Sequence, residues 1–433
     1  MKKVFSTIAL VFLLIQLFGQ ITPQLRNQTI DQILAKLNDE YVFPEVARQM
    51  EVHVRQLQQN KAYDSITDGD ALAIRLTADL RAIARDLHIS VRYAAETLPP
   101  ADTIDFNAPE PEEFVEFLKY NNYGINKLEV LKGNIGYIDF KFFCTPKLAG
   151  EIYSNALNYL SKTDALIIDL RGCSGSMSPH AVPFVCSYFF ENPVHLNDLY
   201  WRKGNRTEQF YTYAVVPGER YLNKPIYVLT SGNTFSGAEE FAYDLQNLKR
   251  ATIIGEITRG GANPGGSVRI NDHFEMFIPI GRAINPITKT NWEGVGVQPD
   301  IAMPATAALS KAHILALESA IEKYRNEKKQ ELLIDILEEV QADAPKLQKV
   351  LFELADFADA KEVILTGSFK FWDPKGVPMK RMGNKWVVEI ETDQTRIAYK
   401  FIVDGKWILD PANPHKVTEG KYENSLREVK LKP

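Results

Sequence analysis

The chain has 433 residues, 45% hydrophobic and 24% charged, the makeup of a globular protein long enough for roughly two to three domains. Its formal net charge of -5 is spread over both signs with no long basic block, which excludes the dense phosphate neutralisation of a nucleic-acid binder. Three cysteines, Cys144, Cys173 and Cys186, stand at irregular spacing that fits neither a disulfide framework nor a zinc site, and no other metal-ligand spacing competes, so no metal or cofactor is expected.

Residues 1–20, MKKVFSTIALVFLLIQLFGQ, join two lysines to an uncharged apolar run with a small residue near its end. That is the pattern of a signal peptide cleaved near Ile21, which implies an exported protein, periplasmic or secreted. An uncleaved anchor is the rival, but the apolar run is near the lower limit for spanning a bilayer. From 24 to 95 the apolar residues recur at helical spacing, as in TIDQILAKLNDEYV and DALAIRLTADLRAIARDL, and predict a small helical domain that closes around His88. Residues 96–128 read as a linker, rich at first in proline and acid. Between 129 and 306 short β-branched runs (NIGYIDF, DALIIDL, PIYVLT, ATIIGE) alternate with helical patterns, as in an α/β core with a mostly parallel sheet. A helical connector at 307–352 is expected to lead away from that core. Residues 353–433 show period-two alternation between closely spaced turns, the mark of a separate all-β sandwich.

Within the core, PIYVLT reads as a strand and AEEFAYDLQNL as a helix, which puts Ser236 at a helix N-terminus just past a strand's carboxyl end. Free N–H groups and the positive end of the helix dipole would stabilise an oxyanion there, and Gly237 lets a substrate approach the main chain. An ordinary N-cap serine fits the same local pattern. A second strand-to-helix turn, DALIIDL into RGCSGSMSPH and AVPFVCSYFF, adds weight to the nucleophile. Two such turns in a parallel sheet can face one crevice, one giving the nucleophile and the other an N–H donor. A tight turn alone explains Gly172 and Gly175 equally well.

Four ordered blocks, DLRGCSG, TSGNTFSGAEEFAYDLQ, ATIIGEITRGGANPGG and WEGVGVQPD, resemble the catalytic domain of the tail-specific or C-terminal processing serine peptidases. The likeness is strongest to the branch with the tricorn core protease and interphotoreceptor retinoid-binding protein. It spans about Gln24 to Thr306 and implies a crotonase-like or ClpP-like α/β core preceded by a helical domain. It further implies Ser236 as nucleophile and the N–H groups of Gly237 and Gly175 as the oxyanion hole. Better-known members carry a lysine base after G-E-x-T-x-G; here GEITRG is followed by Gly261, and a serine without a base is a poor nucleophile. The tricorn-like branch uses a histidine from the helical domain and a glutamate before Gly-Val-x-Pro-Asp. Those match His88, in RDLHISVRY, and Glu293, in NWEGVGVQPD. A serine that precedes the tricorn histidine is Leu87 here, which weakens the orienting network. His180, close to the oxyanion turn, is a second candidate base, while His53, His195, His273, His313 and His415 read as surface or structural. Arg259 and Asn263 are candidate contacts for a substrate carboxylate or carbonyl, and Asp300 reads as a cap or turn residue. The stretch between His88 and Leu128, about forty residues, is too short for a PDZ-type peptide-binding domain.

In the C-terminal module, TGSFKFWDPKGVPMKR, NKWVVEIE, YKFIVDGKWILDPANP and ENSLREV resemble the glycogen-binding, immunoglobulin-like sandwich of the AMP-activated kinase β subunit and of branching and debranching enzymes. The resemblance implies Trp372 and Trp407 as indoles stacked on sugar rings, Lys400 as a hydrogen-bonding lysine and Asn424 as a polar contact. Tryptophans that instead fill the sandwich core, in a module that merely docks on the peptidase, are the other reading. The whole chain thus reads as an exported serine endopeptidase acting on a peptide or protein, with α-glucan as partner of its last module. A catalytically inactive binding or scaffold protein of the same fold is the alternative.

Overall fold

A computed structural model describes residues 21–99, 111–370, 372–420 and 422–429. The signal-peptide expectation for residues 1–20, and part of the 96–128 linker, lie outside the described residues. Two compact units are present, and neither is continuous in sequence. One takes the described part of Met1–Phe117 with His195–Tyr211 and Gly260–Gly294; the other takes Leu118–Val194, Thr212–Arg259 and the described part of Val295–Pro433.

In the first unit three helices, Pro23–Glu40, Pro44–Gln59 and Gly69–Ala84, start on orthodox signals. Proline opens two of them, the Thr22 hydroxyl accepts from Leu25 N–H at 3.1 Å, and the Asp68 carboxylate accepts from Ala71 N–H at 2.7 Å. The third ends where Arg85 turns left-handed, at φ 55°. Ile30, Leu34, Met50, Leu72 and Leu76 close on Phe274, Met276 and Ile278, which belong to strand Phe274–Pro279. That strand pairs antiparallel with Ser90–Tyr93 on one side and Gly265–Arg269 on the other. The unit expected to be helical therefore contains a small sheet, two of whose strands come from far along the chain.

The second unit is built on a six-stranded sheet in the order 301–302, 252–255, 226–230, 165–169, 135–140, 125–131. Every neighbouring pair is parallel except the last. Ala165–Asp169 and Ile226–Thr230 are buried at every position, as strands covered on both faces must be. Helix Ala305–Lys323 lays Ala308, Ala312, Ala316 and Ala320 against Ile135, Ile167, Leu229 and Ile254 of the sheet. The expectation that this stretch leads away from the core is therefore corrected: alanines four apart share one face and let the helix backbone approach the strands closely.

The same unit ends in two antiparallel sheets, one of Gln348–Leu354, Lys385–Thr392 and Lys380–Met382, the other of six strands around Arg396–Val403. Phe352, Leu365, Trp386, Ile397, Tyr399 and Phe401 fill the space between them. Among the described residues no helix is long and apolar enough to cross a membrane.

Candidate functional site

Strands Ala165–Asp169 and Ile226–Thr230 are parallel neighbours, so the turns leaving their carboxyl ends run side by side. Side chains and backbone lace the two turns together: Ser231 Oγ donates to Arg171 O at 2.6 Å, Thr234 Oγ1 to Leu170 O at 2.7 Å, and Phe235 N–H to Cys173 O at 3.1 Å. Asp169 fixes the start of the first turn by accepting from the Arg171 guanidinium at 2.6 Å and from the Tyr137 hydroxyl at 2.8 Å. Ser236 is the N-cap of helix Gly237–Asn247, but its φ of 55° and ψ of -122° are far from the extended backbone of an ordinary cap. Its N–H donates to Glu239 Oε2 at 2.8 Å, and the Thr258 hydroxyl donates to the other oxygen of that fully buried carboxylate.

Gly175, at φ 123°, lies directly on this turn. A β-carbon there would stand 2.8 Å from Ser236 Cβ and 3.3 Å from Gly237 N, and one on Gly237 would meet Ser176 Oγ at 2.3 Å. Close approach thus requires both glycines, and at Gly175 the positive φ requires it as well. Gly175, Ser236 and Gly237 come together at a helix start, which carries the positive end of the helix dipole; there Ala238 N–H donates to Phe235 O at 3.0 Å and Glu239 N–H to Ser236 O at 2.8 Å. His180 is exposed one residue before helix Ala181–Cys186, its N–H donating to Ser178 Oγ at 3.2 Å.

His88 and Glu293 lie in the first unit, and they lie together. Arg81, in the last turn of helix Gly69–Ala84, donates to Ile89 O at 2.7 Å and Leu87 O at 2.6 Å and so pins the loop between. Asp86, 1% exposed, accepts from His88 N–H at 3.0 Å, and its Oδ1 is 3.7 Å from His88 Nδ1. Asp86 Oδ2 accepts from Tyr41 OH at 3.2 Å and from Asn263 Nδ2 at 2.9 Å. Burial, and then the Asp86 carboxylate, push the Tyr41 phenol well above its usual range, so it stays a donor at any working pH. The His88 ring stacks on Phe277 at 5.8 Å, and Glu293 Oε2 accepts from Ala262 N–H at 2.5 Å. Ligand-capable atoms of Asp86, His88 and Glu293 all lie within 4.8 Å of one another.

One imidazole and two carboxylates could serve a divalent cation. Asp86 accepts protein N–H and O–H groups on both of its oxygens and Glu293 on one. Asp86 escaped the sequence reading. Its signal is the spacing D-L-H, in which an aspartate can accept the N–H two residues on. Asn263 is corrected: it is no exposed substrate contact but a 1% exposed donor to Asp86. The Gly261 carbonyl, just past GEITRG, accepts from Trp292 Nε1 at 2.7 Å.

In the sandwich, Trp372, Lys400, Trp407 and Asn424 line one cavity of about 660 Å³ together with Glu419 and Tyr422. The core place is taken by Trp386, 8% exposed, while Trp407 is 44% exposed. Lys400 Nζ stands 5.8 Å from the centre of the exposed Tyr422 ring, and the buried Asn424 amide donates to Glu419 Oε2 at 3.1 Å. Aromatic faces around polar groups suit a pyranose, which stacks by its C–H face and hydrogen-bonds at its rim. Tyr422 was legible: in strand Tyr422–Glu428 residues 422 and 424 point to one face.

Comparison with known proteins gives three matches along the chain. Residues 134–303 match peptidase family S41, residues 23–121 the N-terminal domain of peptidase S41 in eukaryotic IRBP, and residues 353–432 the glycogen recognition site of AMP-activated protein kinase. A carboxy-terminal-processing protease of Bartonella bacilliformis is 25% identical over 176 residues, 40% of this chain and 39% of that one. The human 5'-AMP-activated protein kinase subunit beta-2 is 36% identical over 70 residues, 16% of this chain and 25% of that one. The chain thus spans well under half the length of these curated relatives. Similar solved structures include a lipoprotein from Streptococcus agalactiae, 13% identical with a TM-score of 0.46 over 69% of this chain and 98% of that one. The photosystem II D1 C-terminal processing protease is 15% identical with a TM-score of 0.41 over 66% of this chain and 95% of that one.

Proposed function

We propose that this chain, which joins a peptidase family S41 domain and its N-terminal domain to a glycogen-recognition-type domain, is an exported serine endopeptidase whose last module binds α-glucan. Ser236 Oγ attacks the scissile carbonyl while His88 takes its proton. The N–H groups of Gly237 and Gly175 receive the oxyanion of the tetrahedral intermediate. His88 then gives the proton to the leaving amine, and water, deprotonated by the same imidazole, releases the acyl group from Ser236. Asp86 and Glu293 are positioning residues that hold the imidazole. In the sandwich, Trp372 and Trp407 stack on glucosyl rings, with Lys400 and Asn424 bonding hydroxyls.

The observation that carries this reading is the backbone of Ser236, held at φ 55° on a helix start against Gly175, since strain of this kind collects at reactive residues. A fluorophosphonate probe tests it. The native chain becomes labelled, Ser236→Ala does not, and His88→Ala reacts more slowly by on the order of 10² or more. Labelling that ignores both substitutions sinks the proposal and favours a binding protein of the same fold.

A further inference from the structure

The strip Glu256–Arg259 lies between the nucleophile turn and the sandwich, and both hold it. On its inner side Glu256 N–H donates to Thr230 O at 3.1 Å and Arg259 N–H to Thr234 O at 3.0 Å. Thr258 donates to Glu239, whose second oxygen accepts the Ser236 N–H at 2.8 Å. The Arg259 guanidinium also stands 5.2 Å from the centre of the Phe235 ring, one residue before Ser236. On the outer side Lys370 Nζ pairs with Glu256 Oε2 at 3.0 Å, and Lys375 Nζ donates to Arg259 O at 2.7 Å. The Glu256 side chain is only 10% exposed, which shields that pair from the screening that weakens surface ion pairs.

Both lysines belong to the loop that follows strand Val363–Gly367, and Trp372, a wall of the sandwich cavity, lies between them in sequence at φ 62°. The next residue, Asp373, faces the nucleophile turn as well, for a β-carbon on Gly232 would come 2.8 Å from its Oδ2. One short loop therefore lines the cavity with an indole and grips, with two ammonium groups, the strip that holds Ser236.

We propose that an α-glucan bound in this cavity regulates Ser236, raising its reactivity; the inference rests on the readings of Ser236 as nucleophile and of the cavity as a glucan site. A sugar stacked on Trp372 restricts the loop, and with it Lys370 and Lys375. The strip they hold passes that order to Glu239 and the Ser236 N–H.

The test uses the full chain and β-cyclodextrin, with calorimetry for binding, fluorophosphonate labelling for Ser236 and hydrogen exchange for the amides of residues 230–240. Saturating β-cyclodextrin is expected to speed labelling about fivefold or more and to slow exchange in that segment. A Lys370→Ala/Lys375→Ala double variant still binds the sugar and shows neither response. Sugar binding to the native chain that changes neither labelling nor exchange overturns the coupling and leaves the peptidase reading intact. No binding also overturns it. Slowed exchange in a chain that never labels supports the coupling while removing the peptidase reading.

Discussion

The conformation of Ser236 sets two substitutions apart that a simple nucleophile assignment would treat alike. Alanine removes the hydroxyl and keeps the penalty of φ 55° and ψ -122°; glycine removes both. Strain of this kind costs about 1–3 kcal/mol, offset by roughly 0.5–1 kcal/mol of extra chain entropy for glycine, so Ser236→Gly should be more stable than Ser236→Ala by about 1 kcal/mol. Urea unfolding of the two unlabelled variants measures the difference, and equal midpoints would show that the backbone is unstrained. Asp86 carries the second prediction at this scale. Asp86→Asn places an amide opposite two donors, Tyr41 and Asn263, and loosens the His88 loop. The maximal labelling rate should fall by roughly tenfold to a thousandfold with the half-saturating probe concentration unchanged; a change confined to the latter would assign Asp86 to binding instead. Ser236, His88 and Glu293 could be named as candidates because each stands in a quotable motif. Asp86 could not, because a lone aspartate gains meaning only once its burial and its three donors are known.

At the scale of elements, the parts that were legible are those whose neighbours in space are also neighbours in pattern. Ala165–Asp169 and Ile226–Thr230 read as short apolar runs because they are buried at every position, and that signal is local. Ser90–Tyr93 is four residues long and gains its identity from Phe274–Pro279, a partner that no sequence window contains. Helix Ala305–Lys323 was legible as a helix but not in its placement, since an inward face of alanines contrasts weakly with the outward one. The two strand-to-helix turns belong to the first class, and their contact makes a prediction. Gly175→Ala puts a β-carbon 2.8 Å from Ser236 Cβ on a residue at φ 123°, so one turn must move off the other. A loss of roughly 1–3 kcal/mol in denaturant unfolding is expected, together with loss of labelling. A Gly175→Ala protein that labels at the native rate would mean that the turns need not touch.

Across the whole molecule, hydrophobic cores do not coincide with the segments that composition suggests, and this decides which pieces can stand alone. Every member of the sandwich core, from Val350 to Val429, lies in the last stretch of chain. Its ties to the rest of the second unit include polar contacts such as Lys370 with Glu256, Lys375 with the Arg259 carbonyl and Thr306 with Asp393, which leave its apolar core within its own stretch of chain. The helices of the first unit, by contrast, close on Phe274, Met276 and Ile278, each fully buried among them. Removing those three side chains exposes apolar surface on all sides of the opening, at about 25 cal/mol per Å². A fragment of residues 345–433 should therefore unfold in one cooperative transition and keep its affinity for β-cyclodextrin, whereas a fragment of residues 21–95 should lack a transition. Circular dichroism melts of the two pieces decide the matter: a cooperative helical fragment would show that the distant strand is dispensable, and a sandwich fragment without a transition would show that its contacts with the peptidase core are part of its fold.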